Sequence, residues 1–400
     1  MDSARLRASY DKATSGLDAP LAIIDLDAFD ANADALAGRA AGRQLRVASK
    51  SVRVRYLLDR VLRKPGFSGL MCYSLSEALW LCANGTCDDL LVAYPTVDHV
   101  ALVALAADDV ARRAVTIMVD SAEHLDLVDA VLGSDHATIR VCLELDVAWR
   151  PLRTQAVHVG TRRSPLFTPG DTADMAKKVL ARKGFQLVGL MAYEGQIAGL
   201  GDAPAGKPLR GKVLRWMQRN SAAELAQRRG AAVDAIRSLT DLEFVNGGGT
   251  GSIESTTTDG SVTEIAAGSG LIGPTLFDAY SRFRPRPAAL YALPVVRRPA
   301  RRIATLYSGG YVASGPAVPS RLPSPYLPQG LSLLASEGAG EVQTPIQGRP
   351  VRELRLGDRV WMRHAKAGEL AERFDEYHVV TGAELLVTVP TYRGENQCFG

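Results

Sequence analysis

Four places in this chain set reactive side chains at the ends of short apolar runs. Lys50 follows Leu45-Arg46-Val47-Ala48-Ser49. An amine at a strand end, partly desolvated, has a lowered pKa and can serve as a nucleophile or proton carrier. A solvated lysine closing a strand is the plain alternative. Gly247-Gly248-Gly249-Thr250-Gly251-Ser252 comes just after the run ending at Val245, and Ala267-Gly268-Ser269-Gly270 lies a short way on. Consecutive glycines let backbone N–H groups converge on an anion, and Thr and Ser hydroxyls add donors. Such turns suit a phosphate, although a glycine run alone is often only a loop. Tyr193, in Ala192-Tyr193-Glu194-Gly195-Gln196, could stack on a ligand or simply pack a rim. In Leu143-Glu144-Leu145-Asp146, two acids alternate along one strand face, and Arg150 follows. An arginine there holds its proton beside any ligand, and a structural salt bridge is the competing explanation.

Positioning these groups takes a scaffold whose strand ends converge. The strand-like runs are Leu21–Leu26, Leu45–Ala48, Gly69–Tyr73, Asp89–Ala93, Val115–Val119, Ile139–Leu145, Leu187–Ala192 and Leu242–Val245. Between them lie helical patterns such as Asp27–Arg39, Val52–Arg63, Ser76–Ala83 and Ala122–Leu132. Parallel strands need crossover helices, so the alternation predicts βα units, and eight of them predict a closed barrel. Barrel sites open at the C-terminal strand ends, with phosphate turns after the last two strands. The rhythm breaks at Arg284-Pro285-Arg286-Pro287. Beyond it, Leu290–Val296, Arg302–Tyr307, Arg359–Met362, Tyr377–Thr381 and Leu385–Val389 read as an antiparallel β domain. Pro316–Gln329 reads as a proline-rich loop, and Ala198–Arg219 as an insertion between barrel elements. The expected division is 1–19 as a segment joining the β domain as a strand, 20–285 as an α/β barrel of the (β/α)8 type, and 286–400 as the β domain.

With 400 residues, 46% of them hydrophobic, the chain can bury a large core and form two domains. The net charge is only +4, and Lys and Arg are spread among Asp and Glu, which speaks against nucleic acid. The densest basic stretch, Lys207–Arg219, is interrupted by Leu214 and Trp216 and reads as a solvated helix face. An odd five cysteines without a repeated spacing exclude a disulfide framework or zinc ribbon and suit a reducing compartment. The polar segment Met1–Ser15 lacks a signal-peptide core, and no apolar run reaches the roughly 18 residues of a membrane helix. A soluble cytoplasmic protein is expected.

Taken in order, these segments resemble the pyridoxal-5′-phosphate (PLP) enzymes of fold type III. The nearest likeness is to the D-threonine aldolase and D-serine dehydratase group, with the alanine racemase barrel more distant. Ala19-Pro20-Leu21-Ala22-Ile23-Ile24-Asp25-Leu26-Asp27 looks like that group's first strand, and Arg46-Val47-Ala48-Ser49-Lys50-Ser51 like its cofactor-lysine motif. Asp146 and Arg150 sit like the Asp and Arg of its middle strand, and Tyr193 like the tyrosine of its Tyr-x-Gly-His motif. Gly247–Gly251 and Gly268-Ser269 match its phosphate turns, and Gly357-Asp358-Arg359-Val360 with His364 its Gly-Asp-x-Val…His segment. The likeness spans nearly the whole chain. It implies a PLP-binding (β/α)8 barrel with a C-terminal antiparallel β domain, PLP held on Lys50 as a Schiff base, and a homodimer. Arg150 would face the pyridine nitrogen and keep it unprotonated, weakening the electron sink. Gly248, Gly249, Thr250, Gly268 and Ser269 would hold the phosphate, and Tyr193 would position cofactor or substrate. The implied activity is a lyase on a small β-hydroxy amino acid of D configuration, by retro-aldol cleavage or β-elimination, with Lys50 as base.

Three positions depart from the group's pattern. Its metal pair is a histidine with Cys or Asp two residues on, whereas here it is His364-Ala365-Lys366. A protonated lysine ligates no divalent metal, so a metal is not expected, with His364 the only retained donor. Lys366 could take over the metal's charge toward a substrate hydroxyl or carboxylate, or could simply be exposed. The histidine of Tyr-x-Gly-His is Gln196, which cannot act as a base but could still reach a substrate. Ile346-Gln347-Gly348 stands where Glu-His-Gly is common. The rival readings are a PLP-dependent racemase, with Tyr307 or Tyr311 supplying the second base, a non-catalytic PLP-binding protein, and a metal-dependent barrel without PLP. Deuterium entry at Cα with inversion separates a racemase from a lyase. The extra β domain speaks against a bare PLP carrier, and the lack of a His and acid cluster against a metal enzyme.

Overall fold

A computed structural model describes residues 2–151 and 157–400. Eight parallel strands close into a barrel: Gln44–Ala48, Phe67–Cys72, Leu90–Val92, Val115–Val119, Ile139–Glu144, Phe185–Ala192, Phe244–Gly247 and Glu264–Ala267. Closure comes from the first strand pairing on both sides, Leu45 opposite Phe67 and opposite Ile265. Val115–Val119 is buried at every position, as a strand with helices outside and a filled barrel inside must be. Helix starts are fixed locally. Ser74 caps Leu75–Ala83 by accepting from Glu77 N–H, and Thr168 and Asp171 form a reciprocal capping box on Pro169–Leu180. The expected insertion Ala198–Arg219 begins where the short helix Gly195–Ala198 ends and runs into a 30-residue helix, Pro208–Arg237.

The strand count matches the sequence expectation, but the membership shifts. Leu21–Asp25 is not a barrel strand. It lies in a nine-stranded mixed sheet, antiparallel to Ala289–Ala300 and parallel to Glu376–Thr381. Glu264–Ala267, absent from the strand-like runs of the sequence, is the eighth barrel strand. An apolar run such as Leu21–Asp25 suits any buried strand, and four residues rich in alanine carry no strand signal of their own. Their assignment follows from ladder partners far along the chain.

The barrel interior is tied by a buried arginine. Alternation turns Arg46 inward, and the residue is 2% exposed. Its Nε and Nη2 donate to the two Glu264 oxygens at 2.7 and 2.9 Å, and its Nη1 and Nη2 to the two Asp89 oxygens at 2.9 Å each. Asn246 Nδ2 adds a 2.8 Å bond to Glu264, and the guanidinium lies 5.3 Å from the Phe244 ring centre. Apolar side chains from successive strands, among them Leu91, Met118, Cys142, Met191 and Phe244, fill the remaining interior.

The chain divides into two compact units, Ala35–Lys50 with Leu58–Gly268 and Phe399–Gly400, and Met1–Asp34 with Ser51–Leu57 and Ser269–Cys398. These bounds differ from 1–19, 20–285 and 286–400, because the chain enters the sheet unit before and after the barrel. All five β runs expected beyond Phe283 are strands, and the proline-rich loop also contains the strand Ser324–Leu327. Ser3–Ala13 is a helix, not the strand expected there. It docks through Tyr10, which packs 5.3 Å from the Trp361 ring and donates to Asp25 at 2.6 Å, over a core of Leu21, Ile23, Leu290 and Trp361. Among the described residues no helix is long and apolar enough to cross a membrane.

Removing one partner of a buried ion pair leaves the other charge uncompensated. Arg46→Met is therefore expected to cost about 3–5 kcal/mol in denaturant unfolding, and an unchanged midpoint would show that the barrel does not rely on this tie.

Candidate functional site

Lys50 sits in the 3-10 turn Ser49–Ser51 that ends the first barrel strand. The turn is held by Ser49 Oγ donating to Met71 O at 3.0 Å, on the neighbouring strand. The residue is exposed, so the burial expected for it is not there. Its surroundings come instead from side chains. Lys50 Nζ lies 2.5 Å from Tyr94 Oη, on the loop after Leu90–Val92. The Arg163 guanidinium lies 5.4 Å from the Tyr94 ring centre and 5.3 Å from that of Tyr193. Beside them is a cavity of about 430 Å³ lined in part by Tyr94, Asp120, His124, Glu144 and Arg163. All of these residues belong to the barrel unit and crown the third to fifth strands.

The cavity's charges act on one another. Burial raises the Glu144 carboxyl to about 7, with Arg163 opposing and Asp120 and Asp146 adding to the rise. Burial pushes the Tyr94 phenol up, but the Lys50 charge, the Lys50 hydrogen bond and Arg163 outweigh it, and the net direction is down. Tyr193 goes the other way, raised by burial, with Arg163 opposing and Glu194 and Tyr94 adding. Two phenols share one guanidinium, yet only the one touching the amine is drawn toward ionisation.

The glycine turn follows the seventh strand and is braced from beneath by Glu194, 1% exposed. That carboxylate accepts from Gly248 N–H at 2.9 Å and from the hydroxyls of Ser252 and Thr256, and faces Arg229 at 3.5 Å. Arg229 is shared with Asp259 at 2.8 Å. Gly248 has φ +83°, and an added Cβ would meet Ile265 at 2.8 Å, so a side chain there is excluded twice over. Gly249 N–H donates to Ser252 Oγ at 3.1 Å. The first two amides thus point to Glu194 and Ser252. Gly249 also packs against Tyr193: its added Cβ would stand 3.2 Å from the ring. The glycine turn, Tyr193, Arg163, Tyr94 and Lys50 thus form a continuous series around the barrel mouth. Gly268 closes the eighth strand, and Ser269, grouped with the sheet unit, bonds Ser51 Oγ at 3.0 Å.

Arg150 is not part of that series by any contact described. Its Nη2 donates to Asp146 at 2.5 Å, and its guanidinium stacks 3.8 Å from the Phe167 ring centre, with Arg228 4.1 Å from the same ring. This is the salt-bridge alternative raised from sequence. Gln196 is 2% exposed and engaged through Nε2 with Val147 O at 2.7 Å and Ser221 Oγ at 3.0 Å, so it braces the barrel rim rather than facing a substrate. His364 is buried, with neither ring nitrogen hydrogen-bonded, and burial, helped by Arg363, lowers it to about 3. Lys366 Nζ bonds Ser314 Oγ at 2.5 Å and pairs with Glu369 at 3.0 Å, so its charge is matched locally. Tyr311 Oη bonds Ser308 Oγ, and Tyr307 is half-exposed. Among the described residues, no three His, Cys, Asp or Glu side chains gather as a metal would require. Sequence reasoning missed Arg163, Tyr94 and Glu144 as partners. It chose the arginine nearest the strand end, whereas a loop whose ends meet at the Trp149–Val159 bridge delivers a later one.

A family model described as alanine racemase, N-terminal domain, matches residues 24–274. A D-threonine aldolase of Arthrobacter sp. is 29% identical over 258 residues, 63% of this chain and 60% of the relative. A 3-hydroxy-D-aspartate aldolase of Paracoccus denitrificans is 26% identical over 260 residues, 64% of this chain and 60% of the relative. The matched part therefore spans about 60% of the length of these curated relatives. The crystal structure of D-threonine aldolase from Filomicrobium marinum superimposes with a TM-score of 0.78 at 21% identity, covering 94% of this chain and 95% of that one.

Glu144 holds its proton more tightly folded than unfolded, where its value is 4.5. Its contribution to stability is full below about 4.5 and is lost as pH rises through about 7, a change of roughly 3 kcal/mol. Glu144→Gln should flatten that part of the stability profile between pH 4.5 and 7. An unchanged slope would mean Glu144 is ionised in the fold.

Proposed function

Because this chain belongs to the alanine racemase N-terminal domain family, we propose that it is a PLP-dependent lyase acting on a small β-hydroxy amino acid of D configuration. The observation that carries the proposal is the amine of Lys50 at the barrel mouth, in contact with Tyr94 and flanked through it by Arg163. The names of the two aldolase relatives support the substrate class. The residues present fit the cofactor. They supply an amine for its carbonyl, a fixed cation, a phenol at Tyr193 and a glycine-rich turn too tight for side chains at Gly248 and Gly249. When bound, PLP supplies a carbonyl that captures an amino group and a ring that accepts electrons from Cα.

The chain's own residues then divide the work. Thr250 and Gly268, with Ser269 after it, would hold the phosphate, while Gly248 and Gly249 shape the turn. Tyr193 supports one side of the bound ring. Arg163 is better placed than Arg150 to face the ring nitrogen, since Arg150 is committed to Asp146 and Phe167. A guanidinium does not release its proton, so the nitrogen it faces stays unprotonated. Lys50, once its amine is free, takes the proton from the substrate hydroxyl or Cα. Cleavage between Cα and Cβ gives glycine and an aldehyde, and loss of the hydroxyl gives ammonia and a keto acid. A homodimer is part of the same reading.

A divalent metal does not fit the donors at His364-Ala365-Lys366. His364 is a single imidazole donor, and the other position is an ammonium that has no lone pair to give and is already paired with Glu369. No step is assigned to a metal. Chelator treatment is expected to leave turnover unchanged, and stoichiometric zinc or manganese in the purified protein would overturn that expectation.

The direct test is the visible spectrum of the purified chain. The wild-type protein is expected to show a band that borohydride bleaches, with Lys50→Ala lacking it. Turnover of D-threonine or D-serine, with either glycine or ammonia as product, should follow. A wild-type chain without such a band after PLP is added would overturn the reading.

A further inference from the structure

The contact between Lys50 and Tyr94 lies at the reacting atom of the proposed site. The Nζ–Oη separation is 2.5 Å, while Nζ is 5.2 Å from the ring centre, so the amine meets the phenol oxygen rather than the ring face. Both groups stand on short segments after barrel strands, Leu90–Val92 for Tyr94 and Gln44–Ala48 for Lys50. Lys50 is exposed, and Tyr94 packs its ring against the barrel core beside Leu91 and Met118 while its hydroxyl reaches the amine. The groups facing the phenol are cationic Lys50 and Arg163, the carboxyls of Glu144 and Asp120, the phenol of Tyr193, and His124 on the helix after the fourth strand. His124 Nδ1 lies 3.2 Å from the Asp120 carboxylate and accepts from the Asp120 N–H at 3.2 Å.

A lysine amine and a tyrosine phenol ordinarily titrate within about half a unit of each other. A proton passing between them therefore climbs little, and a short hydrogen bond lets it pass directly. We propose that Tyr94 is a catalytic acid–base residue that exchanges one proton with the Lys50 amine. The proposal rests on Lys50 being the site's reactive amine. In the forward step the Tyr94 phenolate oxygen takes a proton from the Lys50 ammonium. An O–H bond forms, an N–H bond breaks, and the nitrogen lone pair is freed to attack a carbonyl carbon or accept a substrate proton. In the reverse step the phenol returns that proton as nitrogen becomes a leaving amine. Arg163 and Lys50 favour the phenolate, and burial of Glu144 keeps a competing negative charge away up to about neutral pH.

The test uses the full chain freed of cofactor, so it reads the pair and not turnover. Lys50 is labelled with trinitrobenzenesulfonate across pH, and the modified peptide is measured by mass spectrometry. Two coupled groups titrate in two macroscopic steps. The wild type should show a two-step profile and Tyr94→Phe a single step, with labelling at neutral pH slowed about 10-fold or more. Ultraviolet titration of the wild type should also show one phenol ionising ahead of the others. That phenol should be absent in Tyr94→Phe and moved upward in Lys50→Met. An unchanged or faster labelling profile in Tyr94→Phe, or an early-ionising phenol unaffected by Lys50→Met, overturns the proposal. Failure of the PLP reading appears separately, as a missing visible band, and leaves these measurements interpretable.

Discussion

The barrel is organised around one buried guanidinium. Arg46 on the first strand grips Glu264 on the last and Asp89 just before the third. A charge that deep is tolerated only when every donor is met, and here two carboxylates meet it. The tie also sets register. Sliding the first strand by one residue would turn Leu45 or Val47 inward and leave Glu264 without its cation. Lys50 stands two residues past the end of that strand, in the Ser49–Ser51 turn, so fixing the strand also fixes where the turn emerges at the mouth.

A second buried charge does the same for the opposite side of the mouth. Glu194 collects Gly248 N–H and two hydroxyls and is balanced by Arg229. Sequence reading takes consecutive glycines as an anion cradle whose amides all face the ligand. Here the first amide faces a carboxylate, so Gly248 contributes the shape of the turn. Between the two hubs, Arg163 acts on both tyrosines. Its effect differs because Tyr94 also touches an amine and Tyr193 does not.

The sheet unit has a different character. Its core is apolar, and its polar groups pair locally, Lys366 with Glu369 and Arg53 with Glu372. His364 stays buried and neutral. In this chain the residues that resemble a metal pair serve the local packing and charge balance of the sheet unit.

The sequence alone determined the class of fold and placed Lys50 and the glycine turn at the ends of barrel strands. Strand periodicity, crossover length and glycine content are local properties, and they survive without tertiary information. That His364-Ala365-Lys366 has a lysine in place of a second donor is likewise a matter of residue type. Only the tertiary structure decided which eight strands close the barrel. Leu21–Asp25 and Glu264–Ala267 differ in partners, not in any local pattern that separates sheet from barrel. The same holds for the site. Arg150 and Arg163 are both arginines after the fifth strand, and only their tertiary partners, Asp146 for one and the two tyrosines for the other, tell them apart. The Lys50–Tyr94 contact joins residues 44 apart, brought together by barrel curvature that no short window of sequence encodes.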